Sequence, residues 1–164
     1  MRFFSLFSLV GLLALLVEVL LSYYFEALPF LVPNSTMILA VYLAFYEATP
    51  LGALLSFVFG LLRDAATTTI LGPWAGTSVV AFTGTILFAH RVFIQSGMNI
   101  AISVFAATIV GEVVYYGLRK GVDPLNFRPL HHLVICAFLS AAMAPILFGQ
   151  LRKIFKKQVK LGLG

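Results

Sequence analysis

Three carboxylates interrupt apolar stretches of this chain: Glu18, Asp64 and Glu112. An isolated carboxylate in hydrocarbon costs about 3 kcal/mol or more on insertion scales, so such a group faces a protein interior or water. Glu18 and Glu112 are each sixteenth in an apolar segment, and Arg63, Arg119 and His131-His132 fall at a similar depth once the segments are laid out. Two kinds of chemistry fit this polar layer. The groups can pair with one another and with Tyr or Ser hydroxyls to lock helices together, or they can line an outward-facing pocket for a ligand or a partner segment. Asp64 poses a separate problem, because it ends a short helix where a carboxylate meets the negative end of the dipole. Arg63 is its neighbour but points about 100° away on a helix. The expected partners are the backbone N–H groups of Ala66 to Thr69 or the Thr67 and Thr68 hydroxyls, with Arg119 or His132 adding a charge-assisted bond. On that reading Asp64→Asn is mild and Asp64→Leu severe.

Catalytic signatures are missing from the sequence: no His-Glu-x-x-His, Gly-x-Ser-x-Gly, phosphate-binding loop or Cys-x-x-Cys occurs. His131 and His132 are adjacent and diverge on a helix, unlike an i, i+4 metal pair. The lone cysteine, Cys136, offers no disulfide framework. The expectation is a protein that is not an enzyme and carries no metal or cofactor.

The elements that position these residues are membrane helices. The chain has 164 residues, of which 61% are hydrophobic and 10% charged, with a mean hydropathy of +1.03. A soluble domain of this size cannot hide so much apolar surface. Six apolar segments emerge, at 3–25, 34–48, 50–64, 74–93, 97–118 and 131–150. They predict an all-α membrane protein: a compact bundle of about six transmembrane helices forming one polytopic domain over 1–150, with a tail over 151–164. The first segment is too long for a signal-peptide core and carries Glu18, so it reads as a retained helix. The second and third are short and separated by Glu47 and Pro50, as tilted spans or a re-entrant hairpin would be.

Basic residues set the orientation. With the N-terminus inside, Arg2, Arg91, Arg152, Lys153, Lys156, Lys157 and Lys160 lie on the cytoplasmic face, and Arg63, Arg119, Lys120 and Arg128 on the outer one. Both termini are therefore expected in the cytoplasm. Tyr23, Tyr24, Trp74, Tyr115 and Tyr116 fall at outer ends, where amphipathic rings favour the interface.

Small residues recur every fourth position as Gly52, Ser56 and Gly60, ahead of Asp64, and again as Ser103, Ala107 and Gly111. Such stripes let helices approach closely. They serve either packing within the bundle or docking of a partner's transmembrane helix. In the tail, Arg152, Lys153, Lys156, Lys157 and Lys160 oppose Leu151, Ile154, Phe155 and Val159. That is a basic amphipathic helix suited to a cytoplasmic membrane surface with anionic lipids, and the charge does not point to nucleic acid.

Residues 30–90 resemble the rod-shape-determining MreD family. That family shows a Pro-Asp before a short helix, then Gly-Leu-x-x-Asp, a threonine- or serine-bearing turn, and a Gly that opens the next helix. Here these fall on Pro33, on Gly60-Leu61 with Asp64, and on Gly72; Asn34 stands where the family usually has Asp. The resemblance implies a multi-pass protein of the bacterial inner membrane, with a fold like the substrate-binding subunit of energy-coupling-factor transporters. It implies a non-enzymatic scaffold of the elongation machinery that binds an MreC-like single-span protein and, with MreB, RodA and a class B penicillin-binding protein, helps maintain rod shape and guide peptidoglycan synthesis. The alternative is a substrate-binding subunit of a vitamin-type membrane transporter, holding a solute in the outward pocket.

Overall fold

Six helices follow one another in the computed structural model of the chain, which describes residues 2–25, 32–67, 71–89, 97–119 and 130–161. They are α1 (Arg2–Tyr24), α2 (Ser35–Tyr46), α3 (Pro50–Thr67), α4 (Pro73–Ala89), α5 (Gly97–Arg119) and α6 (Leu130–Leu161). Among the described residues there is no strand, and the fold is an all-helical bundle. Four helices, α1, α3, α5 and α6, are long and apolar enough to cross a membrane.

The centre of the bundle is its shortest helix. α2 has 12 residues, and everything from Thr36 to Ala44 is buried. A helix apolar around its whole circumference belongs inside protein, and α2 packs on each of the other five. Around it, α1 packs on α3, α3 on α4, α4 on α5 and α5 on α6, while α1 and α6 barely touch. Phe7 stacks on Tyr42 at 5.7 Å between centroids, and Phe148 meets the same ring edge-on at 5.1 Å. These contacts join the start of α1, the end of α2 and the second half of α6, so the helices alternate up and down.

Local chemistry sets the boundaries. Asn34 caps α2, its Oδ1 accepting from the Met37 N–H at 3.1 Å. α2 stops at Glu47, and Thr49 starts α3 by accepting from the Gly52 N–H on its hydroxyl, ahead of Pro50 in the first helical position. α4 opens on Gly72-Pro73. Gly72 has φ +120°, a backbone conformation that side chains rarely adopt, and its carbonyl accepts from the Gly76 N–H at 2.8 Å.

Two boundaries differ from the sequence expectation. The third segment does not end at Asp64 but continues to Thr67, which makes α3 18 residues long. Only α2 is then markedly short. The tail is no separate helix either: α6 runs unbroken for 32 residues, about 48 Å, through residue 151 to Leu161.

Candidate functional site

At the end of the bundle where α1, α3 and α5 finish, polar side chains from all six helices meet. Glu18 on α1 is 3% exposed, and its Oε1 lies 2.9 Å from Nη2 of Arg63 on α3. The other terminal nitrogen, Nη1, donates to Asn34 Oδ1 at 2.6 Å. The flat face of the same guanidinium rests on the Trp74 ring, 3.6 Å from its centroid. Trp74, on α4, stacks in turn on Tyr115 of α5 at 4.4 Å. From α6, the Ser140 hydroxyl accepts the Asn34 backbone N–H at 2.8 Å. Arg63 is thus held by a carboxylate, an amide oxygen and an aromatic face, the three partners a guanidinium takes best.

Asn34 suits this position. Its Oδ1 accepts from both the Met37 N–H and Arg63, which fixes the oxygen toward the two donors and turns Nδ2 away. Pro33, buried beside it, accepts the Ser35 N–H on its carbonyl at 3.0 Å. An Asp here would bring a second carboxylate to an arginine already neutralised by Glu18.

Asp64 is the other half of the site. Its carboxylate accepts from the backbone N–H groups of Gly72 at 3.0 Å, Trp74 at 3.1 Å and Ala75 at 3.2 Å. These are the unpaired donors that open α4. Gly72, at the capping position, has no side chain to serve them, so the preceding helix supplies one. Of the partners expected for it, Thr68 and Thr69 lie outside the described residues; the described donors belong to the next helix. Asp64 reaches past its own turn to the next helix, and there the positive end of the α4 dipole favours its charge.

The small-residue stripe is filled by the chain itself. Gly52, Ser56, Gly60 and Asp64 are all buried. A Cβ on Gly60 would come within 2.5 Å of the Trp74 carbonyl oxygen and 2.6 Å of the Ala75 Cα; one on Gly52 would run into the Glu47 carbonyl and approach the Phe82 ring. Of the two uses foreseen for the stripe, packing within the bundle is the one this fold makes of it. The second stripe behaves alike, Gly111 lying against Thr77 and Met37.

Glu112 is buried on α5, one turn before Tyr115. It lies, with Glu18 and Arg63, within electrostatic range of Cys136 on α6, whose thiol donates to the Val32 carbonyl at 3.4 Å. His131 is exposed and His132 half-buried. Among the described residues, no three metal-binding side chains come together.

At the opposite end, Arg152 donates from Nε to the Tyr46 hydroxyl and lies over that ring, while Lys153 is exposed. The side chains of Lys156, Lys157, Lys160 and Arg119 lie outside the described residues, as do Arg91, Lys120 and Arg128 entirely.

Sequence reasoning placed Glu18, Asn34, Asp64 and Glu112 in one layer with Arg63 nearby in depth, without fixing which group Arg63 meets, and read Trp74 and Tyr115 as interfacial rings. Trp74 and Tyr115 are each only 6% exposed, whereas Tyr23 and Tyr24 do project outward. The available signal was Glu18: a carboxylate in an apolar helix needs a counter-charge, and Arg63 is the base nearest in depth.

No family model, no curated protein and no solved structure matches the chain.

Proposed function

We propose that this protein is a non-enzymatic multi-pass scaffold of the MreD type in a bacterial inner membrane, with both termini cytoplasmic. Its role on this reading is to hold an MreC-like single-span protein within the machinery that guides lateral wall synthesis. One observation carries the reading. The residues on which the resemblance rests, Gly60, Asp64 and Gly72, and Asn34 beside Pro33 where the chain departs from the family, are separated in sequence but serve a single construction. Gly60 lets α4 approach, Gly72 makes the turn, Asp64 caps it, and Asn34 receives Arg63 from the same helix turn. A chance similarity of short motifs would not be expected to converge in this way.

The polar groups there are largely spent on one another, which favours a fixed scaffold over a solute carrier. With the α3 stripe used internally, one face left for a single-span partner is the outer side of α1, where Leu9, Leu13, Leu16 and Leu20 are exposed. The test is co-purification with an MreC-like protein together with complementation in rod-shaped cells depleted of MreD. Recovery of rod shape and a stable complex are expected. Normal insertion with neither result overturns the reading.

A further inference from the structure

At the end of the bundle away from the Glu18–Arg63 layer, an arginine is laid on a fixed aromatic ring. Tyr46 closes α2. Its ring lies 4.6 Å from that of Tyr42 and 6.3 Å from that of Phe148, two rings buried in the core, while its own outer side is exposed. Arg152 stands one turn after Phe148 on α6. Its Nε donates to the Tyr46 hydroxyl, and its guanidinium carbon is 5.3 Å from the ring centroid. The two terminal nitrogens have no protein partner among the described residues, and Glu47, at the end of α2, makes no ion pair with them. The surroundings put this arginine at a membrane boundary. Leu51 in the first turn of α3, and Ile146 and Ile154 on α6, are apolar and exposed, and the stretch of α6 apolar enough to span a membrane ends at Ile154. Lys153 is exposed beside it. Because α6 continues unbroken to Leu161, the tail extends the membrane helix, and residue 160 is about 12 Å further along the axis than Arg152.

We propose that Arg152, oriented by Tyr46, binds the phosphate of an anionic phospholipid headgroup. With its inner edge on a hydroxyl, the guanidinium offers both terminal nitrogens to two oxygens of one phosphodiester, a paired geometry that a lysine does not give. The ring already holds the side chain, so little rotamer freedom is lost on binding. Lys153 adds positive charge, which favours an anionic headgroup over a zwitterionic one. Leu51, Ile146 and Ile154 offer apolar surface to the acyl chains, and that is why a lipid suits the place better than an acidic protein segment. The contact with lipid thereby moves from the tail lysines as a group to one arginine shared between α6 and α2. This inference does not depend on the scaffold reading.

Native mass spectrometry of the purified full chain, released from nanodiscs of mixed phosphatidylcholine and phosphatidylglycerol, counts the lipids that stay bound. The wild-type chain is expected to retain phosphatidylglycerol in preference to phosphatidylcholine. Arg152→Gln should reduce that retention severalfold and Tyr46→Phe by a part of it, since the ring remains but the hydroxyl that orients the guanidinium is gone. A chain carrying Lys156→Gln, Lys157→Gln and Lys160→Gln together should keep the bound lipid. Absence of a preference in the wild-type chain, unchanged retention in Arg152→Gln or Tyr46→Phe, or loss of retention in the triple lysine variant overturns the proposal. Displacement of the lipid by inorganic phosphate or by a polyglutamate peptide overturns it too, because the place then takes a soluble anion or an acidic protein segment.

Discussion

Both oxygens of the Asp64 carboxylate lie 3.1 Å from the backbone nitrogen of Trp74, ten residues further on and in the next helix. One side chain in the last turn of α3 thereby starts α4 and fixes the height of the Trp74 ring on which Arg63 rests. Its described donors are backbone N–H groups, and that changes what a conservative substitution means here.

Asp64→Asn is expected to be more than a mild change, because the amide turns an N–H donor toward other N–H donors and removes the charge at the α4 terminus. A loss of about 1–2 kcal/mol is expected. Asp64→Ala, which leaves two buried donors, Trp74 and Ala75, and the half-buried Gly72 N–H without this acceptor, should cost about 2–4 kcal/mol. Thermal unfolding in detergent ranks the two variants against wild type. Equal stability of Asp64→Asn and wild type would contradict the capping geometry.

Glu18 and Arg63 should behave as a unit. Removing one partner of a buried ion pair costs about 3–5 kcal/mol, because the other charge stays behind. Arg63→Gln and Glu18→Gln alone are each expected to reduce stability and membrane yield. The double variant should be more stable than Arg63→Gln alone. If the two effects simply add, the pair is not coupled.

Gly60 and Gly84 give a matched comparison within α3 and α4. A Cβ on Gly60 meets the backbone of α4, which cannot move aside cheaply, whereas one on Gly84 meets nothing within 4 Å. Gly60→Ala is expected to cost about 1–3 kcal/mol through overpacking, while Gly84→Ala is neutral or slightly stabilising. Resistance to unfolding in SDS reads the difference.

Sidedness follows from the alternation of the helices. In a Cys136→Ser background, single cysteines replacing Tyr24 and Lys153, both exposed and at opposite ends of the bundle, should react with an impermeant maleimide from opposite sides. Tyr24→Cys is expected to label in intact cells, and Lys153→Cys only after permeabilisation. Labelling of both from one side would overturn the topology.

The fold was largely legible because apolar run length and the positions of Pro and Gly are local signals. Six segments and most of their ends could be read from the sequence, Asn34 and Pro50 marking helix starts correctly. The site was legible only by residue type. That Glu18, Asn34 and Asp64 would share a layer follows from depth along each helix, which counting gives. Which way Arg63 turns does not, since a basic residue near a helix end reads equally as snorkelling outward or pairing inward. The packing of α3 against α4 decides it, and that is a property of two elements together. Asp64 was legible as a turn-forming cap, but its donors on Gly72, Trp74 and Ala75 were not, because they lie beyond the turn where local capping rules look.

The brevity of α2 bears on how the protein is made. Twelve residues of helix rise about 18 Å, well short of a hydrocarbon core of about 30 Å. On its own, α2 would leave polar ends in lipid, so it gains no stable transmembrane position as a lone segment leaving the insertion machinery. Its place is defined only once neighbours surround it. α2 therefore enters together with α3 as a hairpin, or waits at the lipid surface until α4 arrives. Because α2 packs on both α3 and α4, the Asp64 cap that joins those two helices is expected to help shelter the short helix. A variant that loosens this cap should accumulate as a partly inserted chain, open to membrane proteases between α1 and α3.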